Sequence, residues 1–131
     1  MEKKELSLNE YQSLAMTTCM ESSNNPMYML LMLGEEMGEL QGKFSKAIRK
    51  GWIKIENNHV KFTSNATILD CMEWSDLVLK EIGDIMWGLA GLCHVMGWKF
   101  EEAGQTNLDK LKARKAIGTI DGNGDGIERA K

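Results

Sequence analysis

Little in this chain would staple or stiffen it. Three cysteines (Cys19, Cys71 and Cys93) are odd in number, widely spaced and form no CxxC pair. A disulfide framework and a zinc knuckle are therefore not expected, and a reducing, cytoplasmic compartment is. A single proline, Pro26, leaves nearly all of the 131 residues free to be helical. Basic residues have no excess either: 16 Lys+Arg face 19 Asp+Glu, a net charge of −3. A nucleic-acid binder that works by neutralising phosphates needs the opposite balance. Long apolar runs are missing as well. The longest uncharged stretch, Ile85 to Trp98, contains His94 and three glycines and falls short of the roughly 20 residues a membrane helix needs. The opening MEKKELSLNEYQ has no apolar segment behind its charges, so no secretory signal is read there. What is present is ordinary globular composition, 43% hydrophobic and 27% charged, at a length that suits one domain.

Helical patterning dominates. Ser7 with Glu10 three residues later reads as a capping box opening a first helix over 8–20. ESSNNP is a break, and Pro26 suits the first turn of a second helix over 27–49, where Leu33, Met37, Leu40, Phe44 and Ala47 return to one side. The period then changes to alternation around Asn57-Asn58, which predicts a small β-hairpin over 53–62, since asparagine tolerates the positive φ of a tight turn. Thr63, Ser64 and Asn65 offer caps for a third helix over 67–96, closed by Gly97. Its second half, IMWGLAGLCHVMGW, is apolar on every side and implies burial that a second subunit would complete. A fourth helix over 100–116 and a glycine-rich tail over 118–131, expected to be extended or mobile, finish the chain. The expected fold is mostly α, a four-helix bundle with a small inserted hairpin between helices 2 and 3.

The chemistry lies in two carboxylate pairs. Glu36 and Glu39 are three apart in GEEMGEL, and Glu81 and Asp84 are three apart in EIGD, so each pair shares a helix face. At 100° per residue, Glu36 falls within ~40° of Leu40, and Glu81 within ~40° of Leu77, Ile85 and Gly88. Both pairs thus sit on or beside faces that should be buried. Four gathered carboxylates repel, and a hard divalent cation, Mg²⁺ or Mn²⁺, would offset that repulsion. Setting those four aside leaves the rest of the chain nearly neutral. A di-iron bundle would want Glu-x-x-His, which neither pair has, and His94 reads as a core residue on the far side of the third helix. His59 reads as solvated hairpin surface. In the tail, DGNGDG opens like a calcium loop but lacks the glutamate at the twelfth position, so no calcium site of that kind is expected. Lys43, seven residues after Glu36 on the same edge, either meets phosphate or lies along the bundle edge.

The ordered combination ExxE…ExxD…NxxKLxxR, with LNEYQSLAMTT ahead of it, resembles the MazG-like family of all-α nucleoside triphosphate pyrophosphohydrolases. The tail GTIDGNGDGIER is similar to the endings of small phage or prophage-type members. The resemblance implies that Glu36, Glu39, Glu81 and Asp84 hold Mg²⁺ against a (d)NTP triphosphate, with Asn107 and Lys110 contacting sugar and phosphate and Arg114 extending their edge. It also implies cleavage between the α- and β-phosphorus, to a nucleoside monophosphate and pyrophosphate, in nucleotide-pool housekeeping. Glu35 or Glu36 would take the proton of the attacking water, and Glu39 completes the catalytic set. Tyr11 and Gln12 match the YQ of the first helix in relatives, and Trp52, Trp74, Trp87 and Trp98 could each stack on a base, with Trp87 at the position of the family's tryptophan, though a helical tryptophan is more often core. Two departures are visible. The segment between Glu39 and Glu81 is longer than usual by the hairpin region Trp52 to Asn65. Gly88 also stands where many relatives carry an aromatic. A homodimer or homotetramer is expected, with no nucleic-acid or membrane partner. Alternatives are an all-α dUTPase/dUDPase-like hydrolase and a non-catalytic helical oligomerisation module.

Overall fold

The computed structural model describes residues 4–120. The glycine-rich segment 121–131, including the DGNGDG motif, lies outside the described residues. The chain is mostly helical. Helix α1 spans Leu8–Met16, α2 Pro26–Arg49, α3 Ile68–Val95 and α4 Phe100–Ala116, and a two-stranded antiparallel hairpin, β1 (Ile53–Glu56) and β2 (His59–Phe62), separates α2 from α3.

Local chemistry fixes most of these boundaries. Ser7 and Glu10 form the capping box of α1. Asn25 caps α2, its side chain accepting from the Tyr28 amide at 2.8 Å, with Pro26 at the first helical position. The hairpin turn is Asn57-Asn58, with φ of 51° and 63°, and its register pairs Ile53 with Phe62 and Glu56 with His59. Gly97, at φ 76°, ends α3 as expected, its amide donating to the His94 carbonyl while Trp98 donates to Cys93.

Two boundaries differ from expectation. The first helix stops at Met16 rather than Met20, because the Thr17 and Thr18 hydroxyls donate back to the Leu14 and Ala15 carbonyls and the chain leaves through a 3₁₀ turn at Glu21–Ser23. The cap of α3 is Thr67, not one of residues 63–65. Its hydroxyl and backbone are both tied to Asp70, which makes the stronger reciprocal box.

Packing centres on α2 against α3, with α1 across the second half of α3. The helices close to contact distance where α3 is smallest. A Cβ on Gly91 would lie 2.5 Å from Met29 Sδ, and one on Gly88 would lie 2.8 Å from Leu33 Cδ2. Gly88 therefore gives room to α2 in place of the aromatic. The fully enclosed apolar set is small: Met29, Ala47, Ile53, Ala90 and Cys93. Around it, Met27, Leu30, Leu31 and Met37 of α2 and Leu79, Ile82 and Leu89 of α3 are each at least 40% exposed. The apolar second half of α3 is thus only partly covered within one chain. His94 is exposed in the last turn of α3, not a core residue as expected. His59 is exposed on β2, as expected.

Candidate metal and nucleotide site

The two long helices bring three carboxylates together. One oxygen from each of Glu36, Glu39 and Glu81 lies within 4.8 Å of the others. Glu81 is the anchor. It is 6% exposed, on the α3 face that meets α2. Glu36 is half-buried, and Glu39 is exposed one turn further along α2. Asp84 is exposed and stays outside this trio. Its charge still reaches it. The Glu36 carboxyl is pushed above its ordinary range by burial first, then by Asp84, Glu39, Glu81 and Glu35. Glu35 itself is exposed.

One cation of the chain already answers this negative cluster. Lys43 Nζ lies 2.8 Å from Glu81 Oε1, bridging α2 and α3 one turn beyond Glu39. Its ammonium is held more basic than usual by that hydrogen bond, against the cost of its own desolvation, and by the charges of Glu81 and Glu39. An all-oxygen donor set, one member buried and another electrostatically strained, fits a hard divalent cation. Glu36, Glu39 and Glu81 are the residues that can hold it, with Asp84 at the rim.

The α1 residues lie behind this cluster. The Tyr11 hydroxyl donates to the Gly83 carbonyl at 3.3 Å, next to Asp84, and burial followed by Asp84's charge raises its pKa. Gln12 is 8% exposed and uses its whole amide structurally. Nε2 donates to the Ala90 and Trp98 carbonyls at 3.1 and 3.0 Å, and Oε1 accepts from the Phe100 amide at 3.0 Å. It clamps α1, α3 and the start of α4, so both of its N–H donors and one acceptor site of Oε1 are committed within the fold. Trp87 likewise joins helices, its indole N–H donating to Ala15 O at 3.1 Å and Thr18 Oγ1 at 2.9 Å. Those bonds tie the edge of the half-buried ring between α3 and the end of α1.

Helix α4 is not drawn into the cluster. None of its residues is buried. Asn107 and Lys110 are exposed along one edge, and the half-buried Arg114 follows on the same edge. Among the described residues, no contact joins Asn107 or Lys110 to the three glutamates. What the sequence reading did not single out is the continuation of Lys43 along α2. Lys46 and Lys50 follow at i+3 and i+7 and, with Trp52 and Trp74, line a cavity of about 210 Å³ beside the cluster. The spacing was visible in the sequence, but the cavity needed the hairpin's position. A larger hollow of about 470 Å³ lies between the N-terminal segment and α1, lined by Leu6 and Leu14, with no carboxylate of the cluster in its wall.

Comparison with known proteins supplies a family. The family described as MazG nucleotide pyrophosphohydrolase domain matches residues 24–117, which include both carboxylate pairs and the hairpin. The chain is similar to the Gene 37 protein of Mycobacterium phage L5, 32% identical over 100 residues, covering 75% of this chain and 73% of that protein. No solved structure matches it with significance. No helix among the described residues is long and apolar enough to cross a membrane.

Proposed function

Because the chain belongs to the MazG nucleotide pyrophosphohydrolase domain family, we propose that it hydrolyses (deoxy)nucleoside triphosphates to the monophosphate and pyrophosphate with Mg²⁺ held by Glu36, Glu39, Glu81 and Asp84. The observation that carries this reading is the convergence of three carboxylates from α2 and α3 within 4.8 Å, with Glu81 buried. When bound there, a divalent cation polarises phosphoryl oxygens and acidifies a water.

The chain's own residues do the rest. Burial of Glu81 in the α2–α3 interface fixes the trio's position, since its helix phase cannot drift without exposing the contact at Gly88 and Gly91. Glu36 and Glu35 are the proton acceptors for the attacking water. Lys43 sits where it can leave Glu81 for an incoming phosphate once another cation balances the glutamates. Asn107, Lys110 and Arg114 present a polar edge for sugar and phosphate, and bringing that edge to the cluster falls to oligomerisation or closure. The exposed Met27, Leu30, Leu31 and Met37 stripe supports a homodimer or homotetramer, because so many large apolar side chains on one helix face mark an interface. Nucleotide-pool housekeeping in the cytoplasm is the role such an activity would serve.

The test is a pyrophosphate-release screen with Mg²⁺ across canonical dNTPs, NTPs and modified triphosphates, with dUDP included. The reading expects pyrophosphate from at least one triphosphate. Hydrolysis of dUDP would move the protein to the dUTPase/dUDPase-like reading, and no turnover at all would leave a helical oligomerisation module.

A further inference from the structure

Helix α2 carries a second pattern along the face that holds Glu36 and Glu39. At 100° per residue, Lys43, Lys46 and Lys50 all stay within about 80° of Glu36, so the face turns from acidic to basic along its length. The basic half is walled. The hairpin insertion folds back so that Ile53 is 3% exposed against the end of α2 and Phe62 packs edge-on against Trp74, with ring centroids 5.7 Å apart. The resulting cavity of about 210 Å³ is bounded by Lys43, Lys46, Lys50, Trp52, Trp74 and, from α3, Glu73. It shares Lys43 with the carboxylate cluster, so the cavity and the cluster are neighbours on one face.

Size and charge narrow what this cavity can take. At about 210 Å³ it is smaller than the roughly 300 Å³ at which pockets begin to accept a drug-sized ligand, so it takes a fragment of a nucleotide rather than a whole one. Three ammonium groups face one carboxylate there, and Lys46 makes no ion pair among the described residues. The aromatic surfaces are already engaged. Lys50 Nζ sits 4.0 Å above the Trp52 ring. Trp74 donates its indole N–H to the Lys43 carbonyl at 3.0 Å and meets Phe44 and Phe62 in T-shaped pairs. A base would have to displace these contacts, whereas a polyanion would meet cations that already line the wall.

Resting on the functional reading above, we propose that this lysine-lined cavity between α2, the hairpin and α3 is the subsite for the pyrophosphate end of the substrate, the β- and γ-phosphates that leave together. The insertion thereby becomes part of the site, supplying Trp52 directly and, through Phe62, bracing the Trp74 ring that lines the cavity. Lys43, paired with Glu81 and lining the cavity, is the residue that the two ends of the triphosphate have in common.

Calorimetric titration of inorganic pyrophosphate and of nucleoside monophosphate, each with Mg²⁺, into the full chain tests this directly. In a Lys46→Glu/Lys50→Glu variant, pyrophosphate affinity is expected to fall at least about tenfold while monophosphate affinity is unchanged, as loss of charge-assisted contacts requires. KM for the triphosphate should rise with it. Lys46→Arg is expected to keep pyrophosphate affinity near the wild-type value, and Lys46→Gln to lower it, which guards against a charge-reversal variant that fails to fold. Unchanged pyrophosphate affinity in folded variants would overturn the proposal, as would a selective loss of monophosphate binding, which would place the nucleoside in the cavity. Failure of the wild type to hydrolyse any triphosphate would instead overturn the functional reading, and pyrophosphate binding would still report on the subsite by itself.

Discussion

The α2–α3 pair and α4 carry the two halves of one sequence signature, yet the fold treats them differently. Glu36, Glu39 and Glu81 converge within 4.8 Å, and a cross-helix ion pair from Lys43 already stands among them. On α4, Asn107 and Lys110 are exposed and no residue is buried. The difference lies in what each helix gains by its phase. Helix α3 earns its position by fitting Gly88 and Gly91 against Leu33 and Met29, and Glu81 is carried in by that fit. Helix α4 is held mainly through its start, where Gln12 receives the Phe100 amide and Asn9 pairs with Glu101. In the proposed mechanism, the chemistry that must be placed to within an ångström falls to the first pair, and the contacts that a partner or closure would deliver fall to the second.

The sharpest way to break this contrast is to remove a carboxylate. Glu81→Ala, Glu39→Ala or Asp84→Ala is expected to cost about a thousandfold or more in kcat, the scale of several kcal/mol of transition-state stabilisation, with helical circular dichroism retained. Retained activity in any one would remove that residue from the site. Asn107→Ala and Lys110→Ala should act differently. About tenfold in KM is expected, with divalent-cation affinity unchanged, since neither touches the cluster. If either variant weakened metal binding, the separation between the two regions would be wrong.

The packing side of the contrast is tested at Gly91. Gly91→Ala forces a methyl toward Met29 Sδ and should destabilise the fold by about 1–3 kcal/mol, measured by urea unfolding. The smallest effect concerns protons. Because the folded pKa of Glu36 lies above its unfolded value of 4.5, metal-free protein should lose stability as pH rises from about 4.5 through the raised value, and keep that loss above it. Glu36→Gln should flatten the dependence and raise the metal-free midpoint by a few degrees, at the expense of metal binding. An unchanged pH profile in that variant would mean that the strain resides elsewhere.

Much of this was legible in the sequence, for reasons that are local. Ser7 with Glu10, Asn25-Pro26, Asn57-Asn58 and Gly97 each set a boundary through their own backbone chemistry. The phase of Glu36 and Glu81 follows from 100° per residue once the helices are accepted. What escaped depended on distance between elements. Gly88 looked like a missing aromatic until Leu33 was seen against it. The bonds by which Gln12 and Trp87 join their helices to others could not be read from spacing, because their partners lie on distant elements. His94 looked like core because its neighbours are apolar, yet its own position on the last turn of α3 is exposed. Asp84 shares a face with Glu81 by spacing alone, but three residues along α3 are enough to carry it from the buried contact to the rim.

The central claim is that the α2–α3 carboxylates form a divalent-cation site. Its most direct measurement is a Mn²⁺ titration followed by electron paramagnetic resonance on wild-type protein and Glu81→Ala, without nucleotide. The account predicts saturable, stoichiometric binding in the wild type that is lost in the variant. Equal binding by the two proteins, or none by either, would contradict it.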